Sequence, residues 1–180
     1  MNRDKAFTDT EIIKVNAASE MAEELVSNFY KMSANQWLRR RYDIKTLAEL
    51  EENEIVDGPF AQIIRYEGRP NEIALGSASY DFYKICLQDH TIKTTLEQLK
   101  DLKLFPFILY IITHELIHII RFTKFVQSFE ASEEERMVEE KRVHKRTHTI
   151  LEPIRLPGLQ AVLDFYQQWR IPYDDMKNID

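Results

Sequence analysis

One stretch constrains what this chain can fold into. "YIITHELIHIIRF", from Tyr110 to Phe122, sets two histidines and a glutamate into a run that is otherwise almost wholly apolar. Ile111, Ile112, Leu116, Ile117, Ile119 and Ile120 demand a buried helix, so any fold must wrap this segment. His114 and His118 lie four residues apart and project from one helix face, one turn above the other. Glu115 is rotated about 100° from His114 and flanks that pair. Buried ionisable groups without partners are each destabilising by kcal/mol amounts. Core histidines satisfied by backbone or buried water are the plain reading. A divalent metal satisfies the group jointly: two neutral imidazoles at this spacing suit zinc, with Zn–N about 2.0–2.1 Å.

The bulk properties fit a single soluble domain over residues 1–180. Hydrophobic residues make up 44% of the chain and charged residues 30%, which excludes a wholly disordered polymer. A net charge of -6 argues against nucleic acid as partner. The basic runs "LRRRY" and "KRVHKR" adjoin acidic residues and read as solvated helix faces. The one cysteine, Cys86, allows no internal disulfide; it favours a reducing compartment and reads as a buried, inert thiol. "MNRDKAFTDT" has no apolar core, so no secretion signal is expected. The longest apolar window, Leu104 to Ile112, falls short of the roughly 20 residues that span a bilayer. A cytoplasmic protein without membrane partners is the expectation.

The pattern along the chain predicts an α+β fold, mostly helical with a small sheet: helical over 1–57, β over 58–88, and helical again over 91–180, where the metal site lies. Thr8 with Glu11 is a capping-box signature, followed by Ile12, Val15, Ala18, Met21, Ala22, Leu25 and Phe29 at helical period. "NQWLRRR" and "DIKTLAELEE" read as short helices. "FAQIIRYE" and "NEIALGSASYDFYKICL", separated by "EGRPN", read as a hairpin, with a break near Gly76 able to give a third strand. "TIKTTLEQLKDL" is helical. Pro106 suits the first turn of the central helix. Ser132 with Glu135 opens the next helix, which Pro153 stops near Leu151, and "GLQAVLDFYQQW" forms the last.

The "HELIH" segment resembles the defining motif of the zincin metallopeptidases. The resemblance is carried by this helix and, more loosely, by the strands before it and the helix after it. It implies zinc, one ion per chain, with His114 and His118 as ligands and Glu115 as the general base that activates water. It also implies a third ligand. The metzincin branch would place Gly at position 121 and His at 124, and the chain has Arg121 and Lys124. The gluzincin branch takes a glutamate from a following helix, so the acidic run "EEERMVEEKRVH" must supply it.

Within that run two considerations point to Glu140. On a helical wheel it sits near the middle of the face shared by Met137, Val143, Thr147, Ile150 and Leu151, while Glu139 turns about 100° away, towards solvent. If the two helices pair antiparallel about Phe129, His118 is level with Glu140 and His114 with His144. Glu133 shares the face but lies roughly 10 Å too far along the axis. Gluzincins often carry Asp four residues after the ligand Glu, where this chain has His144. Three roles are open to it: hydrogen bonding behind a ligand, a fourth ligand that closes the site, or stabilising an oxyanion. His90 and His148 read as surface residues, His148 also as a donor at the site's edge.

These expectations describe a zinc-dependent metallohydrolase, a small peptidase acting on peptide or unfolded protein. In zincins an edge strand aligns extended substrate, a part that "IALGSAS" would play here. The alternative is a non-catalytic metal-binding or regulatory protein on the same scaffold. A di-iron carboxylate bundle would need a second E-x-x-H, and Glu140 to His144 has the wrong spacing.

Overall fold

A computed structural model describes residues 3–33, 36, 42–67, 81–123 and 131–170. Among them are five α-helices and three strands: α1 (Asp9–Tyr30), β1 (Tyr42–Lys45), β2 (Ala61–Glu67), β3 (Asp81–Leu87), α2 (Asp89–Gln98), α3 (Leu104–Thr123), α4 (Glu133–Leu151) and α5 (Leu159–Phe165). The fold is α+β and mostly helical, as the hydrophobic patterning implied.

The predicted α1 cap forms reciprocally. The Glu11 amide donates to the Thr8 hydroxyl and the Thr8 amide donates to the Glu11 carboxylate. Val15, Ala18, Ala22 and Val26 make the buried stripe, and α1 packs chiefly against α3. Phe29, expected on that stripe, is 40% exposed and lies beside the guanidinium of Arg146.

The segment "DIKTLAELEE" corrects the helical reading of residues 1–57. Tyr42–Lys45 is a strand, and two 3-10 turns, Leu47–Glu49 and Glu52–Glu54, follow it. β1 runs parallel to β3 and β2 antiparallel to it, giving the order β1-β3-β2 with Ile85 opposite both Ile44 and Ile63. The antiparallel pairing expected of the hairpin is therefore present between β2 and β3. "EGRPN" beyond Glu67, the break near Gly76, "IALGSAS" and most of "NQWLRRR" lie outside the described residues.

α3 is the axis of the molecule. Phe107 to Ile112, Leu116, Ile117, Ile119 and Ile120 are all buried, and each such side chain contributes roughly 1.5–3 kcal/mol. This helix is long and apolar enough to cross a membrane, yet it is mostly buried inside the protein, as the core helix of a soluble protein would be. α4 starts at the Ser132 capping box and packs on α3. Contacts between the two step in opposite directions along the chain: His114 meets His144, His118 meets Glu140, and Arg121 meets Glu139. Antiparallel pairing follows. α5 enters through Gly158 at φ 84, where a Cβ would press within 3.3 Å of Pro106, so a glycine lets this corner approach the first turn of α3.

Candidate metal centre

The outward turn of α3 carries His114, Glu115 and His118 to the floor of a cavity of about 710 Å³. That volume is within the range of small-molecule sites, about 300–1,000 Å³. α4 delivers Glu140 from the facing side. The Glu140 carboxylate lies 3.2 Å from Nε2 of His114 and 2.9 Å from Nε2 of His118, and the two imidazole nitrogens are 3.1 Å apart. Tetrahedral ligands at about 2.0–2.1 Å from a zinc ion stand about 3.3 Å from one another. The three side chains thus offer one ligand atom each, all within 4.8 Å, and could hold a metal ion.

The electrostatics agree. Burial opposes ionisation of Glu140, but hydrogen bonds and charge from His114 and His118 outweigh it and hold the carboxyl well below its ordinary value. Glu115 lies in the same cavity and burial pushes its pKa up, against the pull of His114 and His118. An anionic carboxylate beside the two histidines and a carboxyl of raised basicity thus share one cavity. Such divergence between neighbouring acids suits separate duties, one binding charge and one moving protons.

His144 is buried, its ring centroid 4.2 Å from that of His114, but it is not a member of the donor group. Its Nε2 stands 3.8 Å from Glu140, and its Nδ1 is 2.7 Å from the hydroxyl of Tyr110. Nδ1 of His114 is buried and has no hydrogen-bond partner. Its ring is instead gripped by packing, between Tyr110 at 6.4 Å and His144.

Glu139 corrects the wheel. It is only 6% exposed and pairs with Arg121 of α3 and, at 2.7 Å, with Arg142. Met137, counted as inward, is 56% exposed. The buried arc of α4 runs instead through Glu139, Val143, Thr147 and Ile150, with His144 and Leu151 at its other margin. Glu133 is exposed. His90, expected on the surface, is buried, with Nε2 3.1 Å from the carbonyl of Val56 and 3.2 Å from Asp57. His148 is half-buried near Glu152 and does not line the cavity. Cys86 is buried and its thiol is pushed up to about 11 by burial, as an inert core thiol requires.

The cavity walls were not anticipated. β2 and the loop before it supply Phe60, Ala61 and Ile63, the end of α5 supplies Phe165, and the turn after it supplies Tyr166 and Trp169. Tyr166 lies flat on Tyr110 at 3.9 Å, and Trp169 stacks on His144 at 5.4 Å. Their sequence signal, aromatics spaced along "DFYQQW", is equally that of an ordinary amphipathic core helix.

Comparison with protein-family models, with curated proteins and with solved structures gives no match. The zincin resemblance therefore rests on the HELIH helix together with the cluster of His114, His118 and Glu140.

Proposed function

We propose that this protein is a zinc-dependent metallohydrolase, acting as a peptidase on short, apolar peptides. The observation that carries the reading is the convergence of His114, His118 and Glu140 in one cavity that Glu115 also lines. Two imidazole nitrogens and a carboxylate this close make a donor set suited to zinc. When bound there, zinc supplies Lewis acidity, polarising a carbonyl oxygen and making water acidic enough to lose a proton near neutral pH. Glu115 accepts that proton and later delivers it to the leaving amine; burial, by raising its basicity, suits it to both transfers.

Two features support the substrate class. Phe60, Phe165, Tyr166 and Trp169 give an aromatic wall that excludes water and takes up a bulky apolar side chain. Among the described residues β2 is an edge of the sheet, and it places Ala61 and Ile63 on the cavity, so an extended chain can lie alongside it.

The test is Glu115→Gln. The variant should retain one zinc per chain and lose hydrolysis of unfolded or short apolar peptides by about 10²- to 10⁴-fold, the usual contribution of a general base. A wild type that holds zinc but hydrolyses no peptide would favour the non-catalytic metal-binding reading.

A further inference from the structure

His144 stands beside the donor group without belonging to it. It sits four residues after Glu140 on the same helix, with Nε2 3.8 Å from the Glu140 carboxylate and its ring 4.2 Å from that of His114. A small rotation would add a fourth ligand to the three, and a closed four-ligand site leaves no position for water. What restrains the ring is the contact at its far side: Nδ1 lies 2.7 Å from the Tyr110 hydroxyl, in the buried interior.

We propose that Tyr110 is a positioning residue that keeps His144 out of the ligand set, and thereby keeps the metal centre open. The inference rests on the metal-binding reading above. In this arrangement the Tyr110 O–H is the donor and Nδ1 the acceptor, because an imidazole nitrogen accepts more strongly than a phenol oxygen. The single proton of the neutral ring is then on Nε2. A protonated Nε2 has no lone pair for a metal, and it turns an N–H towards the Glu140 carboxylate. One buried hydrogen bond thus converts a would-be ligand into a donor beside a ligand.

The neighbouring geometry supports a role beyond filling space. Tyr110 is fully buried and lies parallel to Tyr166 at 3.9 Å, an interplanar angle of 4°, so its ring cannot swing away from His144. Trp169 covers His144 from the other side at 5.4 Å. Both rings are clamped, and the hydroxyl holds Nδ1 as an acceptor while Nε2 faces the Glu140 carboxylate. Tyr110→Phe removes that hydrogen bond and leaves the ring stacking in place.

Two measurements test this. In metal-free protein, two-bond ¹H–¹⁵N correlation spectra of His144 should show a protonated, pyrrole-like Nε2 and a pyridine-like Nδ1. A pyridine-like Nε2 in the wild type would overturn the inference. In Co²⁺-loaded protein, added azide should perturb the visible spectrum of the wild type, which has a free position. It should leave Tyr110→Phe unchanged and perturb Tyr110→Phe/His144→Ala again. Equal azide responses in wild type and Tyr110→Phe would overturn the inference alone. A wild type that takes up no Co²⁺ would overturn the metal reading and this inference with it.

Discussion

At the residue scale, Glu139 and Glu140 are neighbours with different work. Glu140 turns its carboxylate to the two histidines of α3, and Glu139 is buried against Arg121, one turn beyond the motif. Glu139 is therefore a structural tie between α3 and α4. Removing one partner of a buried ion pair destabilises by about 3–5 kcal/mol. Glu139→Ala should lower the urea midpoint accordingly, yet still bind one zinc per chain. Glu140→Ala should change stability less and weaken zinc binding beyond the 10- to 100-fold typical of losing a group behind a ligand. Competition with a chromophoric chelator measures the second effect, and equal losses for the two variants would contradict the division of labour. His114, His118 and Glu140 were legible in the sequence because helical spacing fixes which residues share a face and a height. The burial of Glu139 was not, because a wheel cannot see that Arg121 on another helix neutralises it.

At the element scale, the helices were readable because their signals are local. Thr8 with Glu11 and Ser132 with Glu135 mark real caps, and the apolar run from Leu104 marks the core helix. β1 was not readable. It is four residues long and exists through pairing with β3, some forty positions away, so local patterning in "DIKTLAELEE" says nothing of it. The small residues Ala18 and Ala22 on α1 are fully buried in the helix that packs on α3. Ala18→Leu should overpack that contact and destabilise by about 1–3 kcal/mol, measured by urea unfolding. A neutral outcome would show that the α1–α3 interface has room to spare.

The buried Glu54 ties the second 3-10 turn to the sheet, accepting from Lys84 at 2.6 Å and from the Tyr66 hydroxyl at 2.9 Å. The Lys84 hydrogen bond, working against burial, holds the Glu54 carboxyl below its ordinary value. The sign follows from linkage. A depressed folded pKa gives stability that is complete above the unfolded value, about 4.3 for Glu, and is lost as pH falls through the folded one. Glu54→Gln should therefore flatten the acid arm of the stability curve, read from urea midpoints over about pH 3 to 7. An acid arm of unchanged slope would assign the acid sensitivity to other carboxylates.

At the scale of the whole molecule, the candidate site is assembled from parts far apart in the chain. The loop at Gly58 to Phe60, β2, α3, α4 and the turn after α5 all reach the same cavity. Sequence spacing reports only groups within one helix or between helices joined by a short connection. The aromatic wall from the C-terminal turn was invisible for that reason. Its position makes a check on the assembly: Trp169 stacks on His144 beside the donor group. In a Trp37→Phe background, which leaves Trp169 as the sole tryptophan, Co²⁺ should quench the remaining fluorescence on binding. Unchanged emission at saturating Co²⁺ would show that the C-terminal turn does not close over the metal.

The most direct measurement of the central reading is the zinc content of the purified chain, by elemental analysis after exhaustive dialysis. One zinc per chain is expected in the wild type, and a substoichiometric amount in His118→Ala and in Glu140→Ala, with Glu115→Gln retaining the full equivalent. A wild type without stoichiometric metal, or one whose metal survives loss of His118 and Glu140, would contradict it.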